Sequence, residues 1–329
     1  MEGGTERDNK EAELLGEILR KRCHAERMMT RTAFRLRLAA LSVLLPTLML
    51  LQTVSSRAQN PEWTEAFPPF RIMGNLYYVG SKDLASYLVV TPEGNILINS
   101  NLESSVPQIK ASVEKLGFKL SDTKVLLISH AHWDHDAGSA AIKQMTGAKY
   151  MVMDADVGVV EDGGRSDFAY GKEPRNWYKP AKVDRVLHDG DEVKLGGAVL
   201  VAHKTPGHTK GCTTWTLKVN DDGKSYDTVI VGSPNVNTGY RLVGRPSYPG
   251  IAADYEKTFA TLKALRCDIF LGAHGGYYGL AEKYGRLKNG DAHAFIDRAG
   301  YASYVADREV AFRKELERQR AQAAGPKKN

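Results

Sequence analysis

Residues 126–139 read LLISHAHWDHDAGS. An apolar strand ends there, and the next six positions hold His130, His132, Asp134 and His135. In extended backbone, side chains two residues apart point the same way, so His130 and His132 can converge on one cation. As the chain turns into a helix, Asp134 and His135 can face a neighbouring position. Imidazole and carboxylate suit zinc, which ordinarily takes four ligands. Four donors from one segment cannot complete such centres, so the fold must bring further ligands from distant parts of the chain.

Two isolated histidines in glycine-bearing turns next to predicted strands meet that need: His208 in HKTPGHTKGCTTW and His274 in LGAHGG. Glycine lets backbone lie close to a metal without side-chain obstruction. His188, His203 and His293 have no such setting and are read as non-ligands. Asp136 is expected either to support the ligands from behind or to cap the following helix.

The rest of the chain alternates strands and helices with no repeat and no long linker. Strands are predicted over 70–80, 85–91, 95–100 and 124–129, then near 148–153, 185–188, 192–203, 212–219 and 226–232, with CDIFLG as the last. Helices are predicted through VPQIKASVEKLG behind a cap at Ser104 or Ser105, near 138–145, through YEKTFATLKAL, and over roughly 297–323. This order is most economically an α/β fold of two mixed sheets covered by outer helices. With 329 residues, 42% hydrophobic and 26% charged, the chain can bury a core without disulfide staples. The loop-rich stretch 161–182 carries Tyr170, Trp177 and Tyr178, which either wall a cleft or pack their own loop.

The N-terminal part reads differently. A 14-residue apolar run, Leu38 to Leu51, follows Arg31, Arg35 and Arg37 and precedes VSSRAQ. It is short for a membrane span and is interrupted by Pro46, so residues 1–58 are read as an extension plus secretory signal cleaved after Ala58, with a retained anchor as the alternative. Met28 or Met29 is a possible initiator within it. Residues 59–329 then form a single domain located in the periplasm. Without the leader the charge falls from +6 to near neutrality, which gives no electrostatic case for nucleic acid, and no membrane contact is expected after cleavage. A monomer acting on a small molecule is expected. Cys212 and Cys267 are the two remaining cysteines, read as free thiols rather than a mutual disulfide.

With HAHWDH as its signature, the chain resembles the metallo-beta-lactamase superfamily over nearly all of residues 65–315. The resemblance implies an αββα sandwich with two zinc ions at one edge, the first held by His130, His132 and His208 and the second by Asp134, His135 and His274. Lactonases and glyoxalase II relatives carry a metal-bridging aspartate where this chain has Ser233 in DTVIVGSPNVNTGY, and subclasses B1 and B2 of the lactamases carry a cysteine there. What remains resembles subclass B3. The implied activity is zinc-dependent hydrolysis of the amide bond of penicillins, cephalosporins and carbapenems, giving antibiotic resistance. Asp134 is the candidate for orienting the attacking water, and Ser233 and Asn235 are candidates for holding the substrate. Asn235 stands where relatives often have Ser or Thr. The alternatives are a lactonase or thioester hydrolase on the same scaffold, and a non-catalytic metal-binding protein.

Overall fold

A computed structural model describes residues 60–324 and, before them, only Gly16 and Glu17. The expected signal peptide lies outside the described residues. From Asn60 onward the chain forms one compact unit.

Among the described residues, twelve strands make two mixed sheets. The first contains β1 (Phe70–Met73), β2 (Leu76–Tyr78), β3 (Tyr87–Thr91), β4 (Gly94–Ile98), β5 (Thr123–Leu127), β6 (Lys149–Met153) and β7 (Arg185–Leu187), in that spatial order. β1 to β4 are antiparallel neighbours and β4 to β7 run parallel. The second sheet holds β8 (Glu192–Leu195), β9 (Ala198–Lys204), β10 (Thr213–Asp221), β11 (Lys224–Val231) and β12 (Ile269–Gly272), antiparallel except for the β11–β12 pair. The helices are α1 (Val106–Lys115), α2 (Trp133–Asp136), α3 (Ser139–Thr146), α4 (Val157–Glu161), α5 (Ile251–Ala264), α6 (Leu280–Lys288) and α7 (Arg298–Ala323).

Strand alternation explains the layering. Tyr87 and Val89, Ile96 and Ile98, Val125 and Leu127, and Met151 and Met153 face the core shared with Trp215, Leu217 and Val219 of the second sheet. The residues between them, Leu88, Leu97, Leu126, Tyr150 and Val152, point to the other side, where Val106, Ile109 and Val113 of α1 and Ile142 of α3 cover them. Strands buried on both faces read as continuous apolar runs, and VLLI does. On the far side of the second sheet, Tyr255, Phe259 and Leu262 of α5 meet Phe312 and Leu316 of α7. The result is the expected αββα sandwich.

Three local readings need correction. The span 70–80 is a hairpin turned at Gly74–Asn75, not one strand. The span 192–203 is likewise two antiparallel strands, because Gly196 and Gly197 adopt left-handed φ of +49° and +86°. Gly196 also lies against Thr91, where a Cβ would meet Oγ1 at 2.3 Å, so the turn is built around the missing side chain. Finally, α6 lies in a stretch given no element by the sequence patterning. Ser105 stands at the N-cap of α1 without a side-chain capping bond.

Candidate metal centre

The site forms where strands of both sheets end at one edge. β5 runs out through Ile128 and Ser129, and His130 follows. Asn99, itself at φ +65°, steadies this exit by accepting from the backbone N–H of Ser129 at 2.8 Å. His132 is the N-cap of α2, and the His135 carbonyl accepts from the N–H groups of Ser100 and Asn101. The His208 loop joins β9 to β10. Its Gly207 has φ +129° and lies on the Tyr255 ring, where a Cβ would meet ring carbons at 2.8–2.9 Å, so only glycine fits there. His274 follows β12 and pairs with Leu84, while Ala273 accepts from Ala85 N–H at 3.0 Å, which stitches the two sheets together beside the site.

All six sequence-predicted ligands come together. The ring centres of His130 and His208 are 4.6 Å apart, and each lies 4.8 Å from that of His132. One donor atom from each of these three falls within 4.8 Å of the others, and the same holds for His130, Asp134 and His135. Next to them, His135 Nε2 and His274 Nε2 are 3.1 Å apart, with Asp134 Oδ2 at 3.4 and 3.6 Å from them. His188 is exposed and His203 is bonded to Thr216, each in keeping with a non-ligand.

A divalent cation fits this donor set. Both ring nitrogens of His130 and Nδ1 of His135 are buried without a hydrogen-bond partner, a costly arrangement for a site made only of protein. Burial, then the neighbouring histidines, holds His130 and His135 far below the usual imidazole range; burial and His132 bring His208 down to about 3. Neutral imidazoles keep the lone pair that a metal needs. His132 differs: burial pulls its pKa down, but the Asp167 carboxylate, with Asp134 and Asp156 behind it, leaves it raised.

Supporting groups fix the ring orientations, and the sequence singled out none of the carboxylates among them. His208 Nδ1 donates to the Asn235 carbonyl at 2.9 Å, and His274 Nδ1 donates to Asp83 Oδ2 at 2.9 Å, which leaves each Nε2 facing inward. Asp167 Oδ2 stands 3.6 Å from His132 Nε2. The buried Asp156 ties two ligand loops together, accepting from Ala131 N–H, Thr209 Oγ1 and Gly211 N–H at 3.0, 2.7 and 2.7 Å. Each of these carboxylates is remote in sequence from the ligand it serves, so no local spacing marks it. Asp136 caps no helix: it is buried, accepts from Tyr150 Oη, and is raised to about 7 by burial against the opposing pull of Ser139, Tyr150 and Tyr178.

Above the ligands is a cleft of about 350 Å³ walled by Trp63, Trp133, Tyr170 and Tyr277, with Asn235 and Asn237 on one side. Trp133 and Tyr170 meet edge to face at 5.1 Å. Tyr170 thus reaches the cleft, whereas Trp177 bonds the Gly171 carbonyl and Tyr178 bonds the Ala131 carbonyl, both packing their own surroundings. Asn235 lines the cleft but Ser233 does not. Ser233 is 1% exposed, and its Oγ lies 3.2 Å from Tyr277 Oη, to which Asn235 Nδ2 donates at 3.0 Å. Cys212 and Cys267 are free thiols.

Comparison with known proteins agrees with this architecture. The family model described as metallo-beta-lactamase superfamily matches residues 84–274. The native FEZ-1 metallo-beta-lactamase from Legionella gormanii is 58% identical, with a TM-score of 0.77 over 78% of this chain and 98% of that one. The class B3 di-zinc metallo-beta-lactamase LRA-12 from an Alaskan soil metagenome is 40% identical, with a TM-score of 0.74 over 78% and 97%. A hydroxyacylglutathione hydrolase of Rhodopseudomonas palustris (strain HaA2) is 32% identical over 127 residues, 39% of this chain and 40% of that protein. The chain spans only about two fifths of the length of the curated relatives it matches. With a family match across more than half its length and metallo-beta-lactamase structures aligned over 78% of it, the chain belongs to the metallo-beta-lactamase superfamily.

Proposed function

We propose that this chain is a zinc hydrolase that opens the amide bond of β-lactams, with His130, His132 and His208 holding one ion and Asp134, His135 and His274 a second. The observation that carries the reading is the meeting of these six side chains under an aromatic-walled cleft, in a chain 58% identical to a metallo-beta-lactamase. When bound, a zinc pair would supply a water of lowered pKa and polarise a carbonyl. The protein supplies the rest. Trp63, Trp133, Tyr170 and Tyr277 seat the apolar body of the substrate and keep bulk water away. Asp134, 7% exposed at the cleft floor, orients the attacking water through its carboxylate. Asn235 receives the substrate on the cleft wall. Ser233 acts from underneath by fixing Tyr277 and the turn to Asn235.

A thioester-hydrolase reading is favoured by the hydroxyacylglutathione hydrolases among the curated relatives. The presence of Ser233 where such enzymes resemble one another in carrying an aspartate speaks against it. Steady-state rates on a chromogenic cephalosporin, a penicillin, a carbapenem, an acyl-homoserine lactone and a glutathione thioester separate the two. Lactam turnover should dominate, disappear on chelation, return with zinc, and fall away in His132→Ala and Asp134→Ala. Preferential thioester turnover, or lactam turnover in metal-free protein, refutes the proposal.

Export to the periplasm, monomeric action and a role in antibiotic resistance belong to the same reading. They are checked by a mature N-terminus at Gln59 in the periplasmic fraction, by light scattering, and by a raised inhibitory concentration of a β-lactam on expression.

A further inference from the structure

Asp167 sits between two parts of the site. Its Oδ2 stands 3.6 Å from Nε2 of the ligand histidine His132, and both side chains are only 4% exposed. Its Oδ1 accepts from the backbone N–H groups of Ala169 and Tyr170 at 2.8 and 2.6 Å. Tyr170 is the residue of the 161–182 loop that walls the cleft. Its ring meets those of His132 and Trp133 edge to face at 5.0 and 5.1 Å, and its Oη accepts from Asn237 Nδ2 at 2.8 Å. One carboxylate therefore joins a ligand to the wall above it. The loop is wound tightly around that carboxylate: Gly171 N–H donates to the Asp167 carbonyl at 3.0 Å, and a Cβ on Gly171 would meet the Arg165 and Asp167 carbonyl oxygens at 2.3 and 2.6 Å.

The two oxygens constrain each other. An ionised carboxylate only accepts, so Nε2 of His132 carries the ring proton and Nδ1 is the nitrogen left for an ion. An imidazole that gives its other nitrogen to a cation is held in orientation by such a carboxylate, and holds the carboxylate in return. With Oδ2 fixed in this way, Oδ1 has less freedom to lose when it takes the two loop N–H groups. Linkage makes the effect mutual, since a loop that fixes Oδ1 presents Oδ2 to His132 already in place.

We propose that Asp167 is a positioning residue that couples occupancy of the first metal site to the order of the cleft wall at Tyr170. The wall that meets the substrate is then fully ordered only when the ion beneath it is bound. The proposal rests on the reading of His132 as a zinc ligand and stands independently of which substrate the cleft hydrolyses.

The test combines competitive zinc titration of the full chain with hydrogen exchange at the Ala169 and Tyr170 amides, followed in ¹⁵N spectra without and with zinc. In the wild type, zinc should slow exchange at both amides by at least about fivefold, the lower end of ordinary coupling between sites. Asp167→Asn is the discriminating variant. Its Oδ1 can still accept from both loop N–H groups, while its Nδ2 sets a donor against His132 Nε2 and drives the ring proton to Nδ1. Exchange of the two amides without zinc should stay within about twofold of wild type. Zinc at the first site should nevertheless bind roughly 10–100-fold more weakly. Asp167→Ala should show the same weakening together with faster exchange at both amides. A carboxylate that only shapes its own loop predicts wild-type zinc affinity in Asp167→Asn, and that result overturns the proposal. Exchange at Ala169 and Tyr170 that ignores bound zinc in the wild type overturns it as well. A wild type that takes up no zinc is a different failure: it removes the ligand set, and the proposal falls together with the functional reading.

Discussion

Replacing Asp156 with alanine removes a carboxylate that is 1% exposed and accepts three hydrogen bonds from two different loops. The Ala131 and Gly211 N–H groups and the Thr209 hydroxyl are then left buried without an acceptor. Each unmatched donor costs about 1–3 kcal/mol. The losses are offset in part because the carboxylate itself is held unfavourably, its pKa raised by burial despite those bonds. The net expectation is a loss of about 3–5 kcal/mol, in line with breaking a buried charged network. That is a large part of the ~5–15 kcal/mol that holds an ordinary domain together. Urea denaturation in zinc-containing buffer measures it as a lower midpoint with an unchanged slope. The loss should also be local in effect. Ala131 lies between His130 and His132, and Thr209 follows His208, so zinc affinity at that cluster should weaken roughly 10–100-fold in a competition assay. Asp156→Asn keeps one acceptor oxygen and should fall between wild type and alanine in both measurements. A stability within about 1 kcal/mol of wild type for the alanine variant, together with unaltered zinc affinity, would falsify the claim that Asp156 couples the two loops.

Three further outcomes follow from the geometry. Asp83→Ala, which frees the His274 Nδ1, should weaken the second metal site by roughly 10–100-fold in competitive zinc titration and leave the first nearly untouched, whereas Asp83→Asn, still able to accept, should recover much of the loss; equal weakening at both sites refutes a selective role. Gly207→Ala forces a Cβ into the Tyr255 ring at an unfavourable φ and should lower the melting temperature by an amount equivalent to about 1–3 kcal/mol, with reduced zinc occupancy; a melting temperature equal to wild type counts against the close-packing argument. Burial pushes both the Cys212 and Cys267 thiols up to about 12, so each stays protonated at pH 8 and should resist a thiol-selective reagent in the native protein while reacting fully in urea; stoichiometric labelling before unfolding refutes it.

Much of this architecture was legible in the sequence, for identifiable reasons. Strands such as VLLI announce themselves because both faces are buried, and HAHWDH because four metal donors in six residues have few other uses. The hairpins at Gly74 and Gly196 resemble single strands in the sequence because apolar character continues across their turns. Asp83, Asp156 and Asp167 escaped notice because a supporting carboxylate is defined by a hydrogen bond to a group remote in the chain, as in the Asp83–His274 pair. Trp63 was likewise invisible, since the cleft it walls exists only after both sheets have met. Ser233 lies under Tyr277 and does not line the cleft, a burial that depends on packing that no pattern records.

The ligands come from the ends of β5, β9 and β12, two of these strands belonging to one sheet and one to the other. No half of the molecule can therefore assemble the centre alone. Any fluctuation that parts the sheets at this edge would scatter the six side chains at the same moment, so for the cations proposed here release and breathing of the sandwich would be one event. Occupancy would then protect the backbone amides around Ala85 and Ala273 from hydrogen exchange, although neither residue touches the cation.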